Sequence, residues 1–315
     1  MELRRLGRTD LRVSVVGLGC NSFGWKADLA VTRSIIDRAI AGGINFLDTS
    51  DSYGSSEDLI GEVLGERRRQ VVLATKFGSP MDREGTKKGA SRAYIITAVE
   101  SSLQRLKTDW IDLYQLHYPD PATPIEETLR ALDDLVRAGK VRAIGCSNLS
   151  AAQLEEAQQT AKRTGITAFT STQNEYSLLV RGLERELAPV IAKHELALLP
   201  YFPLANGVLT GKYRPGQPAP AGARLADAPS FFDSYREPAK WETAARLERF
   251  AVERGHTLLE LAVSWLATRP GVASVIAGAS RPEQVEQNAR AAGWALTQAE
   301  LAEIDRLTLG HTAAA

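Results

Sequence analysis

Short apolar runs alternate with longer amphipathic stretches along nearly the whole chain. Residues 15–19, 45–48, 71–76, 112–117, 143–147, 169–173, 196–201 and 274–277 read as eight strands, each followed by a segment of helical periodicity. Strand-then-helix repetition predicts parallel strands, because a parallel neighbour is reached only through a crossover long enough to hold a helix. Eight such units suit a closed (β/α)8 TIM barrel.

The punctuation supports this division. Thr123 with Glu126, Ser150 with Gln153 and Thr297 with Glu300 each place a hydroxyl three residues before an acid or amide, the spacing of a capping box. The first ten residues alternate and turn at Gly7, which predicts an N-terminal β-hairpin over the closed end of the barrel. Residues 241–269 read as helical, and residues 296–309 as an extra C-terminal helix outside the eightfold count. Residues 211–238, rich in Pro, Gly and Ala, form a long loop after strand 7, on the side where barrel loops build active sites, and read as a cofactor or substrate lid. No linker interrupts the pattern, so residues 1–315 are expected to form a single domain.

Composition narrows the function. The chain is 44% hydrophobic and 24% charged, as in soluble globular proteins, and its 38 basic side chains balance its 38 acidic ones. Such balance gives no net field to draw it to nucleic acid or an anionic membrane, so neither is expected as a partner. The first residues lack the apolar stretch of a signal peptide, and no apolar run approaches a membrane span, which makes a cytoplasmic protein the expectation. Cys20 and Cys146, each at a strand end, read as reduced packing residues.

A barrel enzyme draws its chemistry from the C-terminal ends of its strands. Here Asp48 ends strand 2, with Tyr53 five residues on; Lys76 ends strand 3 and His117 ends strand 4. These four suit carbonyl reduction. Tyr53 can give a proton to the developing alkoxide, and a Lys76 ammonium beside it is expected to lower its pKa. Asp48 would hold that ammonium in place, and His117 can orient the carbonyl oxygen. Asp48 with Asp51 also raises the question of a metal, but only one of the four histidines stands at a strand end, so no metal site is expected.

The run from Phe46 to Gly54 (FLDTSDSYG), with Glu57 following, resembles the signature of the aldo-keto reductases. The resemblance continues through Thr75-Lys76, DWIDLYQLH ending at His117, KVRAIGCSN ending at Asn148, QNEY from Gln173, PLANGVLTGKY from Pro203, and Gly278-Ala279-Ser280. It implies Asp48, Tyr53, Lys76 and His117 as the catalytic set. It also implies an NADP(H) cofactor laid across the barrel mouth. Ser147, Asn148 and Gln173 would hold the carboxamide, Tyr201 would stack on the nicotinamide, and Gly19 and Asn21 would border it. Pro203, Leu204 and Gly207 would line the pyrophosphate, with Lys212 and Arg224 supplying charge. Gly278, Ser280, Arg281, Gln284 and Asn288 would surround the adenosine end. Independently, Ser280-Arg281-Pro282-Glu283 reads as a helix start, whose free N–H groups and added guanidinium suit a 2′-phosphate.

Gly17-Leu18-Gly19 lacks the third glycine of a dinucleotide fingerprint, so the cofactor would be bound without a Rossmann motif. Trp25, Tyr118, Phe231 and Phe232 are candidate substrate-lining residues. The chain ends soon after its last helix, so the long C-terminal loop of the steroid- and aldose-reducing members is expected to be missing. The resemblance is closer to the bacterial branch that groups with aryl-alcohol dehydrogenases and potassium-channel β-subunits. The expected activity is NADPH-dependent reduction of a small carbonyl by a monomer or weak oligomer. The alternatives are a nucleotide-binding redox sensor, or an NAD-linked sugar or polyol dehydrogenase.

Overall fold

The computed structural model describes residues 1–82, 84–213, 217–220, 223–227, 235 and 237–309. A two-stranded antiparallel hairpin, β1 (Leu3–Arg5) and β2 (Arg12–Ser14), precedes eight parallel strands. These are β3 (Val16–Gly19), β4 (Phe46–Asp48), β5 (Val72–Phe77), β6 (Ile111–Leu116), β7 (Val141–Ser147), β8 (Ser171–Glu175), β9 (Ala197–Tyr201) and β10 (Val275–Gly278). They neighbour one another in chain order, and β10 returns to pair with β3. On the remaining side Leu198 N donates to Gly271 O at 2.8 Å and Ala273 N to Leu198 O at 3.0 Å, which carries the hydrogen bonding from β9 to the segment leading into β10. The architecture is the predicted (β/α)8 barrel.

The first six flanking helices are α1 (Leu29–Ala41), α2 (Ser56–Leu64), α3 (Arg92–Leu106), α4 (Ile125–Arg137), α5 (Ala151–Thr164) and α6 (Leu183–Lys193). Then follow α7 (Arg224–Asp227), α8 (Pro238–Val252), α9 (Leu258–Ala267), α10 (Pro282–Arg290) and the extra C-terminal helix α11 (Gln298–Leu309). The stretch read as helical over 241–269 is helical and divides into α8, which begins at Pro238, and α9. Gly255, with φ of +75°, ends the first, and Thr257 opens the second by exchanging hydrogen bonds with Glu260. Ser150 and Gln153, and Thr297 and Glu300, also form their reciprocal caps. Thr123 does not, because its hydroxyl donates to Asp120 at 2.8 Å, while Glu126 turns to Arg130 and Arg163.

The hairpin closes the N-terminal end of the barrel, as expected. Leu6, Leu11 and Val13 pack into one buried cluster with the inward side chains Phe46, Val72, Ala74, Leu113, Ala143 and Leu199. Arg4 fastens it by donating to the carbonyls of Ala267 and Val272 at 2.8 and 2.9 Å. With that end filled by apolar side chains, the polar strand ends at the opposite end face the cavity.

Candidate active site

Backbone bonds beyond the strand ends fix the loop that follows β4. Thr49 N donates to Ala74 O at 2.9 Å, Asp51 N to Lys76 O at 3.1 Å, and His117 N to Phe77 O at 2.9 Å. The loop after Asp48 is therefore an extension of the sheet, and the turn through Gly54, at φ of +56°, leads into α2. Ser56 secures that junction, its hydroxyl 2.8 Å from Thr49 Oγ1 and donating to Cys20 O at 2.9 Å.

Lys76, wholly buried, donates from Nζ to Asp48 Oδ2 at 2.6 Å and to Thr49 O at 2.9 Å. The other oxygen of Asp48 accepts from Gln115 Nε2 at 3.1 Å and Gln173 Nε2 at 2.9 Å. Burial alone would push the ammonium toward neutrality, but Asp48 and Tyr53 together outweigh it, and the Lys76 pKa lies above its ordinary value. Nζ stands 5.2 Å from the centroid of the Tyr53 ring and acts on its hydroxyl. Lys76 lowers the phenol pKa, as the sequence leads one to expect, yet the net shift at Tyr53 is upward. Burial raises the phenol pKa by more than Lys76 lowers it, so Tyr53 holds its proton firmly in the absence of a developing negative charge.

His117 lies edge-on to Tyr53, ring centroids 5.8 Å apart, and stacks on Tyr118 at 4.9 Å. Its Nδ1 is 3.1 Å from Ser50 Oγ, which leaves Nε2 for the cavity. Burial and then Lys76 push its pKa down to about 3, so the imidazole is neutral and can donate from one nitrogen only.

These residues stand at the floor of a cavity of about 1400 Å³. All the predicted site residues from Gly19 to Gly207, and those from Gly278 to Asn288, border it, with three qualifications. Lys76 lies behind the wall rather than in it. Lys212 borders the cavity from the described part of the long loop, whereas the side chain of Arg224 lies outside the described residues. Phe231 and Phe232 lie outside them altogether. Trp25 and Tyr118, both about half exposed at the rim, do border it.

Several predicted ligands are already engaged with one another. Ser147 Oγ donates to Gln173 O at 2.8 Å. Asn148, at φ of +61°, donates to His117 O at 3.0 Å and accepts from Tyr201 Oη at 2.8 Å. Gln173 commits its amide nitrogen to Asp48 and keeps Oε1 as an acceptor. At the far end Gln284 Oε1 accepts from Ser280 N at 2.8 Å and from Arg281 N at 3.2 Å, folding the start of α10 into a compact cap.

Sequence reading passed over two contributors. Gln115 and Ser50 are neutral side chains whose importance shows only once the register places one under Asp48 and the other under His117. Strand alternation offered a signal for Gln115, since residues two apart share a face and His117 follows it by two. The cavity wall also includes Lys26, which pairs with Asp227 of α7 at 2.6 Å and so ties the loop after β3 to the loop after β9.

The donor set fits a nicotinamide dinucleotide. After β9 the backbone takes left-handed conformations at Phe202, Ala205, Asn206 and Gly207, with φ of 49°, 47°, 56° and 101°. Three of these are not glycine, and strain of that kind persists where surrounding structure holds it, often around a ligand. Successive N–H groups turned this way form concavities that take anions such as a pyrophosphate. Among the described residues no group of three or more His, Cys, Asp or Glu side chains gathers to hold a metal.

The fold is thus a (β/α)8 barrel with a neutral phenol, a buried ammonium–carboxylate pair and a neutral imidazole gathered at its mouth. The chain belongs to the aldo/keto reductase family, whose sequence profile matches residues 15–308. It is 38% identical over 296 residues to an uncharacterized oxidoreductase of Bacillus subtilis, covering 93% of this chain and 91% of the relative. It is 33% identical over 320 residues to an aldo-keto reductase of the same bacterium, covering 98% and 93%. A probable voltage-gated potassium channel subunit beta of Arabidopsis thaliana is 35% identical over 307 residues, covering 92% and 91%. At the level of the family the chain is an oxidoreductase, and carbonyl reduction is the chemistry the family supports.

Proposed function

We propose that this protein reduces small aldehydes or ketones to alcohols with NADPH, Tyr53 supplying the proton. The observation that carries the reading is the buried Lys76 ammonium, held between Asp48 Oδ2 and Thr49 O and set against the Tyr53 ring. When bound across the cavity, a reduced nicotinamide would be the source of hydride for the carbonyl carbon. As negative charge grows on the carbonyl oxygen, Tyr53 donates its proton to it. Lys76, charged throughout, stabilises the phenolate left behind, and Asp48, held by Gln115 and Gln173, keeps that ammonium from shifting. Neutral His117 donates a hydrogen bond from Nε2 to the same oxygen and fixes its direction.

Preference for NADPH over NADH is supported by Arg281 and Arg290, two guanidinium groups that border the cavity at either end of α10, where a 2′-phosphate would gain charge-assisted bonds. The intact Asp48, Tyr53, Lys76 and His117 set supports turnover over redox sensing alone, for which a nucleotide site suffices. We place the activity in the cytoplasm, in a monomer or weak oligomer with no nucleic-acid or membrane partner. Among the described residues no helix is long and apolar enough to cross a membrane.

The test is nucleotide oxidation followed optically with a broad aldehyde and ketone panel, NADPH and NADH in parallel. Carbonyl-dependent oxidation of NADPH in preference to NADH is expected. Tight nucleotide binding with no turnover on any carbonyl would replace this reading by redox sensing, and preferential use of NAD with sugars or polyols by a dehydrogenase.

A further inference from the structure

His117 meets a second, wholly buried polar group on the side away from the cavity. Its Nδ1 lies 3.1 Å from Ser50 Oγ, and Ser50 Oγ lies 3.3 Å from Asp51 Oδ1. Ser50 is inaccessible to solvent and Asp51 2% exposed, and the second carboxyl oxygen of Asp51 has no hydrogen-bond partner. We propose that Asp51, acting through Ser50, determines which ring nitrogen of His117 carries the proton, and so whether the imidazole presents a donor or an acceptor to the cavity.

Ser50 has one hydroxyl hydrogen to give, and its oxygen already accepts from Ser52 N at 3.2 Å. When Asp51 is protonated, its O–H donates to Ser50, and Ser50 in turn donates to His117 Nδ1. The ring must then carry its hydrogen on Nε2, where it serves the carbonyl oxygen. When Asp51 is ionised, the chain reverses. Ser50 donates to the carboxylate and accepts from Nδ1–H, and Nε2 is left as a bare lone pair that repels a carbonyl oxygen. Both arrangements use the one hydrogen and, with the Ser52 amide, both lone pairs of Ser50, so each requires Ser52 Oγ to direct its own hydrogen elsewhere. Ser52 Oγ, 2.9 Å from Ser50 Oγ, is neutral and brings no pH dependence of its own.

The surroundings keep both states of Asp51 within reach near neutrality. Burial, and next Glu57 from α2, raise its carboxyl to about 7, against the opposing pull of Ser50, of Arg105 from α3 and of the Ser52 amide. Tyr94 of α3 and Tyr114 of β6 also face it; both stay protonated and offer no compensating charge. Glu57 is engaged by Thr75 at 2.5 Å and by Arg105, so Arg105 is shared and does not neutralise Asp51. His117, neutral throughout this range, exchanges tautomers without changing charge. Asp51 and Ser50 are thus positioning residues, and activity by the Nε2–H form should fall as Asp51 ionises.

The consequence for turnover rests on the reductase reading; the tautomer does not, and it is measured directly on the full chain without nucleotide. In long-range proton–nitrogen spectra of protein labelled with ¹⁵N at histidine, the His117 signals are assigned by their loss in His117→Asn and followed from about pH 5 to about pH 9. The expected result is Nε2–H at low pH passing to Nδ1–H at high pH, with Asp51→Asn holding Nε2–H throughout and Ser50→Ala abolishing the pH dependence. If Asp51→Asn does not fold, Ser50→Ala carries the same test. A ring that keeps one tautomer over the whole range in the unsubstituted protein, or a transition that survives in the variants, overturns the proposal. With an active carbonyl in hand, kcat/KM of Asp51→Asn should exceed that of the parent by about tenfold near pH 8, while the two converge near pH 5. Absence of turnover on any carbonyl would remove the reductase reading and leave the tautomer result standing.

Discussion

Lys76 Nζ lies 2.6 Å from Asp48 Oδ2 with both side chains sealed from solvent. An ion pair placed there is costly to desolvate, and Gln115, Gln173 and the Thr49 carbonyl supply the additional hydrogen bonds that make it tolerable. A core of hydrocarbon would hold the barrel together as well. What the pair adds is a fixed positive charge beside Tyr53.

Asp48→Asn should therefore destabilise the protein, by roughly 3–5 kcal/mol, because it strands a buried ammonium. Asp48→Asn with Lys76→Met should recover most of that loss while remaining inactive. Denaturant unfolding of both variants measures this; equal losses in the two would show that the stranded charge is not the cause.

Gly7 turns the hairpin at φ of +56°, and a Cβ built there would stand 2.2 Å from Thr170 O at the closed end of the barrel. Gly7→Ala should lower stability by at least about 2 kcal/mol through backbone strain and displacement of the hairpin. The site lies at the other end, so kcat per folded molecule is expected to stay within about twofold. Thermal unfolding paired with active-site titration separates the two effects.

Where sequence and structure part, the reasons are physical. Strand β8 was expected over 169–173 and runs Ser171–Glu175, because apolar Phe169 drew the reading back although the strand itself is polar. It is held as a strand by backbone pairing to β7 and β9, with Gln173 bonded to Asp48, relations visible only in three dimensions. Thr123 looked like a helix cap and serves Asp120, since spacing does not reveal a competing acceptor three residues earlier. Tyr53, Lys76, Asp48 and His117 were legible because charged or ring side chains at strand ends stand out. Ser50 and Gln115 were not, because a neutral polar residue gains meaning only from what register places beside it. The direction of the Tyr53 shift needed the depth of burial, which no motif records.

The Asp51 carboxyl, raised to about 7 by burial and Glu57, binds its proton more tightly in the folded than in the unfolded chain. Its contribution to stability is fully present below the unfolded carboxylate pKa, near 4, and is lost as pH rises to about 7. Asp51→Asn, which cannot ionise, should become progressively more stable relative to the parent over that window, by on the order of a few kcal/mol, and the difference should level off above it. Urea unfolding at a series of pH values reads this directly. A stability difference independent of pH would mean that Asp51 ionises in the folded protein as readily as in the unfolded chain.

Lys26 and Asp227 join two loops across the cavity through a partly exposed ion pair. Asp227→Asn should speed NADPH release several-fold and make the release rate less sensitive to salt, in keeping with the roughly 0.2–1 kcal/mol such pairs contribute. Stopped-flow displacement of bound nucleotide measures it. Release rates identical to the parent at low salt would show that the pair does not restrain the loops.

Proton donation by Tyr53 is tested most directly by single-turnover reduction of a carbonyl with Tyr53→Phe, alongside NADPH affinity measured by fluorescence. The phenyl ring keeps the shape and packing of the site and removes only the hydroxyl that carries the proton. Affinity within about threefold of the parent, with hydride transfer slowed at least about a hundredfold, is the expected result. Hydride transfer at the parent rate would contradict it, and would mean that the proton comes from another group.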